Sequence, residues 1–311
     1  MQSLISWLLI HSEGVTIADK LLLFFVKLFY LSLRIILRIA LGKKRRDKLY
    51  VEQGLDFGVF WNKCFKFWRR GKECVTLSKF KMPKYNFEFY CRNNKDDFAV
   101  MTFHEDDVLE HFTPDEGDIV VDVGAHIGLY TIISSKRVGL NGQVVALEAD
   151  PGNFNILNRN IQLNKLANVI ALNYAAYSKE EKLKLYLPSG GESAFTKYNT
   201  VMLDRAESEE KFVEVEANTL DYLLQSNGIK QEEVNWMKID VEGAEYEVLK
   251  GSNDVLSKSK DISLLIEIHN LSEGTNSYKN IIEFLNSYLF KIDFERVYDS
   301  GERHLIARKH S

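Results

Sequence analysis

A chain of 311 residues is long enough for one large domain with extensions or for two modest domains. Its 45% hydrophobic and 27% charged residues exclude wholesale disorder, and Cys64, Cys74 and Cys91, with no CxxC or zinc spacing, exclude a disulfide framework. The net charge of −4 hides an asymmetry: Lys20 to Lys84 carries 17 Lys and Arg against 4 Asp and Glu, so the rest of the chain is strongly acidic.

Residues 1–72 read as a basic, apolar helical arm. "LLLFFVKLFYLSLRIILRIAL" (Leu21 to Leu41) is long enough to span a bilayer. On a helix, Lys20, Lys27, Arg34 and Arg38 fall within about 40° of one another. Each internal cation would cost about 2.5–3.5 kcal/mol at mid-membrane. A helix lying in the interface keeps this stripe among headgroups and avoids that cost. "GKKRRDK" and the aromatic–basic run "FGVFWNKCFKFWRRGK" follow, both suited to an anionic cytoplasmic surface. The expectation is peripheral or monotopic membrane contact through residues 16–48, with a true span or packing in a homo-oligomer as alternatives. A basic start and a small-residue cleavage site are lacking, so a secretory leader is not expected. Bulky aliphatics beside the charges favour lipid over nucleic acid.

Residues 73–311 read as the second domain, with its core at 117–269. Short strands come first, at "CVTLSKF", "NFEFYC" and "FAVMTF". From Gly117, five apolar strands ("DIVVDV", "QVVALEA", "VIALNYA", "NWMKIDV", "SLLIEIH") alternate with helices beginning near Ile127, Asn153, Leu220, Ala244 and Ser277. This rhythm predicts an α/β, Rossmann-like, doubly wound and mainly parallel sheet. "RVYDSGERHLIAR" predicts an antiparallel C-terminal hairpin around Ser300 and Gly301. Ligands in such sheets sit at the carboxyl ends of the strands, so chemistry is sought there.

In "VDVGAHIGLYT", Asp122 closes the first strand and Gly124 and Gly128 bracket a turn into a helix. The glycines do not have dinucleotide spacing, and His126 occupies the centre. Glu148 ends the second strand, 24 residues after Gly124, near the distance expected for an acid that accepts ribose hydroxyls. Together they indicate an adenosine-type ligand.

"DIVVDVGAHIGLYT", "VVALEADPGNFNILNRNIQLNKLANV", "AAYS", "TLDYLL" and "MKIDVEGAEYEVLKG", in this order, resemble the FkbM family of class I S-adenosylmethionine-dependent methyltransferases. The resemblance covers about Phe89 to His269. That family's turn commonly reads Gly-Ala-Asn-Ile-Gly, so His126 stands where an amide side chain is usual. The resemblance implies S-adenosylmethionine, which has no pyrophosphate and needs no third phosphate-cradling glycine. By matching position, Asp122, Gly124, Ala125, His126 and Gly128 would line its methionine and ribose portions. Glu148 would take the ribose, and Ala149 and Ala176 would flank the adenine, with His126 hydrogen-bonding or capping within the turn.

On the reacting side, "KIDVEGAE" sets Asp240 at the end of the fourth strand, with Glu242 and Glu245 beyond Val241. Glu245 at a helix N-terminus suits the macrodipole. Asp240 is expected to meet the methionine end and the acceptor. Glu242 and His269 are the candidate bases for an acceptor hydroxyl. No metal site is assigned, although Asp240, Glu242 and Glu245 could gather an oxygen-ligated cation. "LPSGGESAFTKYN" could form a flap, with Glu192 and Ser193 as contacts. The resemblance implies methyl transfer to a sugar or natural-product hydroxyl, and with the membrane-directed arm the expected reaction is O-methylation of a hydroxyl on a sugar or lipid-linked glycan. A nitrogen or small-metabolite acceptor, or a non-catalytic cofactor-binding scaffold, are the alternatives.

Overall fold

The computed structural model describes residues 11–13, 25, 29, 32, 77–82, 87–92, 106–187, 211–269, 278–298 and 301–309. Most of the arm, the basic cluster after it, the strand expected at "FAVMTF" and the loop bearing Glu192 and Ser193 lie outside the described residues. The chain divides into two compact units, Met1–His104 with Gly190–Lys197, and Glu105–Ser189 with Tyr198–Ser311.

In the first unit β1 (His11–Glu13), β2 (Leu77–Met82) and β3 (Phe87–Arg92) form an antiparallel sheet in that order. Phe87 and Phe89, two residues apart on β3, are both buried, as one face of a strand requires. Phe25, Phe29 and Ser32 are helical, at a spacing that places them on one helix face. The two phenylalanines are 62% and 59% exposed. Among the described residues no helix is long and apolar enough to cross a membrane.

The second unit opens with α1 (Asp106–His111), β4 (Ile119–Val123), α2 (Leu129–Val138), β5 (Gln143–Leu147), α3 (Pro151–Leu163) and β6 (Val169–Leu172). There follow β7 (Ala175–Ala176), β8 (Glu181–Leu187), β9 (Lys211–Asn218), α4 (Leu220–Ser226) and a 3-10 turn at Gln231–Glu233. The chain continues through β10 (Val234–Ile239), α5 (Glu245–Lys250), α6 (Asn253–Lys258), β11 (Ser263–Ile268), α7 (Tyr278–Ser287), β12 (Phe290–Val297) and β13 (Arg303–Lys309). A seven-stranded sheet runs β12-β13-β11-β10-β4-β5-β6; β7, β9 and β8 make a second, smaller sheet.

The expected doubly wound architecture is what forms. β6, β5, β4, β10 and β11 are parallel, and β13 is antiparallel to both β11 and β12. Each expected helix begins within two residues of its predicted start, while α1 and α6 are additional. The central strands are buried on both faces, which is why "IVVDV" and "SLLIEI" read as continuous apolar runs.

Local chemistry sets the helix ends. Asp150 caps α3 by accepting from Asn153 N–H, and Pro151 occupies the first turn. Thr219 caps α4, while Asp221 on that helix accepts the Asp254 and Val255 amides and so caps the start of α6.

The order of crossing matters for function. From β4 the chain winds outward to β5 and β6, and from β10 it winds the other way to β11. β4 and β10 are therefore the switch point, with Val123 beside Ile239 at their carboxyl ends.

Candidate active site

Gly124 follows β4 with φ +78°, and a Cβ there would sit 1.8 Å from the backbone oxygen of Asp240. Only glycine permits that approach. Gly128, with φ +99°, would press a Cβ to 2.7 Å from Leu157 Cδ1. The turn is thus drawn onto the end of β10 on one side and onto α3 on the other. The Gly124 and Ala125 amides both donate to the Leu147 carbonyl, at 3.0 and 2.9 Å, which ties the turn to β5.

His126 adopts a left-handed φ of 52°, a region that His and Asn enter more readily than most side chains. That shared tolerance accounts physically for an exchange between the two at this place. Its backbone N–H donates to Glu148 Oε2 at 2.7 Å. α2 starts after Gly128 without a side-chain cap.

Glu148 accepts on its other oxygen from Asp150 N–H at 2.9 Å and from Asn153 Nδ2 at 3.4 Å. Burial pushes its carboxyl up to about 7, against the lowering effect of these amides. Asn160, fully buried on α3, donates to the Ile127 carbonyl at 2.8 Å, and Asn173 donates to the Glu148 and Ala149 carbonyls at 2.7 and 3.0 Å. Asp122, Gly124, His126, Gly128, Glu148 and Ala149 thereby come together at the ends of β4 and β5. Ala125 turns its methyl to Ala146 and Leu157, and Ala176 belongs to the main core with Val121, Leu147 and Leu249.

Lys238, which no motif singles out, joins the two halves of the site. Its Nζ donates to the Gly124 carbonyl and to Asp240 Oδ2, both at 3.0 Å, and lies 3.7 Å from Asp122 Oδ1. Burial alone would lower this ammonium, but Asp240 and Asp122 outweigh it and hold it above the ordinary lysine value. Asp122 accepts from Thr131 Oγ1 at 2.6 Å, and burial pushes its carboxyl up.

The second cluster gathers at the ends of β10 and β11. Glu242 and Gly243 turn with φ of 56° and 107°, the first an uncommon setting for a side-chain-bearing residue. His269 is buried, with Nε2 3.1 Å from Glu242 Oε2 and 4.0 Å from Asp240 Oδ1. Its Nδ1 lies 2.8 Å from Glu245 Oε1, which also accepts Gly243 N–H at 2.9 Å. Glu245 thus points inward to His269, a role beyond the helix-terminus effect expected of it. Glu267 stands 3.9 Å from His269 Nε2 and 3.1 Å from His304 Nε2.

Burial would lower the His269 imidazole, but Glu242 and Glu245 outweigh it and raise it well above 6.5. Burial raises Glu242 to about 7 against the pull of His269. The Asp240 carboxyl, pushed up by burial, is carried below its ordinary value by Lys238 and His269. Glu242 and His269, 3.1 Å apart and both raised, therefore titrate as one buried acid–imidazole pair, and perturbed pairs of this kind occur where protons are taken up and returned.

These residues fit S-adenosylmethionine. The Gly124–Gly128 turn and the buried acceptor Glu148 stand together at the carboxyl ends of adjacent strands β4 and β5, joined by the His126 amide, and a cofactor without pyrophosphate needs no further phosphate-binding glycine.

The chain matches the methyltransferase FkbM domain over residues 122–292, more than half its length. It is 29% identical over 154 residues to Methyltransferase 1 of Beauveria bassiana (strain ARSEF 2860), covering 45% of this chain and 60% of that one. It is 31% identical over 159 residues to Methyltransferase sdnD of Sordaria araneosa, covering 43% and 60%. The chain thus spans 60% of the length of the curated relatives it matches. Among solved structures, an FkbM methyltransferase from Methylobacillus flagellatus KT aligns at 16% identity and TM-score 0.40, covering 68% of this chain and 53% of that one. A SAM-dependent methyltransferase from Aquifex aeolicus aligns at 14% and 0.39, covering 68% and 98%. Since the matched span runs from Asp122 in β4 to Ile292 in β12, enclosing the turn, Glu148 and the acid–imidazole cluster, the chain belongs to the FkbM family of class I S-adenosylmethionine-dependent methyltransferases.

Proposed function

We propose that the chain is an S-adenosylmethionine-dependent O-methyltransferase acting on a hydroxyl of a sugar or lipid-linked glycan at a membrane surface. The observation that carries this reading is the Glu242–His269 pair, 3.1 Å apart at the carboxyl edge, with Glu242 two residues beyond Asp240, whose carbonyl packs on Gly124, and His269 directly after β11. An amine acceptor presents its lone pair once neutral, whereas an alcohol must shed a proton as it attacks. A buried proton-sharing pair suits the alcohol.

Glu148 would hold the ribose hydroxyls, the Gly124–Gly128 turn the methionine portion, and Ala149 the adenine edge. When bound, S-adenosylmethionine supplies a methyl group on a sulfonium sulfur, which passes to the acceptor oxygen as the C–S electron pair returns to sulfur. Glu242, paired with the His269 imidazole, would take the one proton which that oxygen sheds. Asp240, its Oδ2 held by Lys238, would orient the acceptor with its remaining oxygen. Membrane placement is supported by the basic arm and by the exposed, helical Phe25 and Phe29.

Mass spectrometry of glycans and lipids from cells with and without the protein tests the acceptor. The expected result is a species lighter by one methylene in the cells that lack it; unchanged glycan and lipid masses refute the reading. Flotation with anionic liposomes, comparing the full chain with one lacking residues 1–48, tests the surface. Equal flotation of both forms removes the arm from the account.

A further inference from the structure

We propose that Asp240 Oδ1, Glu242 Oε2 and His269 Nε2 form a site for one divalent transition-metal cation, a proposal that rests on the hydroxyl-acceptor reading above. Each of the three residues offers one ligand atom within 4.8 Å of those of the other two, and they come from the end of β10, the turn after it and the end of β11. Metal–ligand bonds of about 2.1 Å at right angles place neighbouring ligand atoms about 3.0 Å apart. His269 Nε2 and Glu242 Oε2, at 3.1 Å, already have that spacing. Asp240 Oδ1, at 4.0 Å from Nε2, needs to close by about an ångström. Its side chain is 28% exposed, and its Oδ2 alone is tied to Lys238, so Oδ1 can swing.

The far side of the imidazole supplies a second and separate observation. A metal-bound histidine almost always gives its other ring nitrogen to a carboxylate or carbonyl, which fixes the tautomer and the ring's direction. Glu245 does this for His269. It is fully buried, receives Nδ1 at 2.8 Å and is itself fixed by the Gly243 amide. Oriented in this way, Nε2 is aimed between Glu242 and Asp240. Charge points the same way, because Asp240, Glu242, Glu245 and Glu267 gather around the His269 and His304 imidazoles, with the Lys238 ammonium on Asp240. Two imidazole protons or one divalent cation offset that excess to the same degree. With Glu242 Oε2 and His269 Nε2 committed to it, the cation takes over the part of the bare pair: it leaves positions open to an acceptor oxygen, lowers the pKa of a hydroxyl bound there, and the proton shed passes to the second carboxylate oxygen of Glu242.

One imidazole with two carboxylates selects a first-row ion such as Mn²⁺ over Mg²⁺ or Ca²⁺, which take all-oxygen sets. The structure also revises the ligand set that sequence proximity suggests: Glu245 moves to the outer shell, and His269, 24 residues further along, takes its place.

The test uses the full-length protein, stripped with chelator and titrated with Mn²⁺ alone, with the free ion followed by electron paramagnetic resonance. Spin-echo modulation from a coordinated imidazole nitrogen is recorded on the same samples. One Mn²⁺ per chain with nitrogen modulation is expected. Asp240→Asn should weaken binding at least about tenfold, and Glu245→Gln by about 10- to 100-fold with stoichiometry retained. His269→Gln should abolish the modulation; if that variant does not fold, the wild-type modulation and the Asp240→Asn titration decide. A folded wild-type chain that binds no Mn²⁺ overturns the proposal. So does a bound ion that lacks nitrogen modulation and is indifferent to Asp240→Asn, and the cluster is then an ion-pair network only. S-adenosylmethionine titrated into the same protein separates the two readings. Cofactor binding without Mn²⁺ overturns the cation site alone, and Mn²⁺ binding without cofactor overturns the methyltransferase reading alone.

Discussion

Glu148 lies buried at the end of β5, and burial holds its carboxyl at about 7 where an exposed one would titrate near 4.5. Ribose hydroxyls donate to the ionised form, so cofactor affinity should follow the ionised fraction, about 0.9 at pH 8 and about 0.1 at pH 6. Affinity for S-adenosylhomocysteine should then fall about tenfold between these pH values, or about 1.4 kcal/mol. Near pH 7 binding should release about half a proton. Stability without ligand carries the opposite sign. The folded pKa is the higher one, so the folded chain binds more protons between 4.5 and 7, and stability declines as pH rises through that window, by at most about 3 kcal/mol. Isothermal titration at pH 6, 7 and 8 in buffers of different ionisation enthalpy measures both affinity and proton release. Glu148→Gln should bind more weakly and show neither pH slope. A wild-type affinity that is flat from pH 6 to 8, or a slope that survives in the Gln variant, refutes the reasoning.

Three further substitutions probe the frame of the site. Gly124→Ala places a Cβ 1.8 Å from the Asp240 carbonyl; a loss above about 2 kcal/mol, seen as a melting temperature about 4–8 °C lower, and absent cofactor binding are expected. Lys238→Met leaves Asp240 and Asp122 without their shared cation, so urea unfolding should show about 3–5 kcal/mol less stability. His126→Asn keeps a residue suited to the left-handed region and should retain cofactor affinity. His126→Val should strain the turn by about 1–2 kcal/mol and weaken binding about 5- to 30-fold, as measured by calorimetry.

Apolar periodicity sufficed for the sheet because its central strands are buried on both faces and read as uninterrupted runs between turn signals. Gly124, Gly128 and Glu148 were legible because a tight turn and a strand-end acid leave a local spacing. The residues that brace them were not. Asn153 and Asn160 sit on the same face of α3 as Ile156 and Leu157, at positions i, i+7, i+3 and i+4. Asparagine at both ends of an apolar stripe was the available signal, since a buried amide demands partners. Lys238 carried a similar one, a lysine inside the apolar strand "VNWMKI". The junction of Glu242 and Glu245 with His269 spans two strands and depends on their register, which local sequence does not encode. From sequence alone only the helix dipole accounts for Glu245, because nothing nearby along the chain can be its partner.

The central claim is that a proton acceptor stands at the carboxyl edge beside the cofactor turn. Transfer of labelled methyl from S-adenosylmethionine into a lipid and glycan extract, at saturating cofactor, tests it most directly. Glu242→Gln and His269→Gln should each lower the rate about 10²- to 10⁴-fold while cofactor affinity stays near the wild-type value. Rates unaltered in both variants would contradict the account.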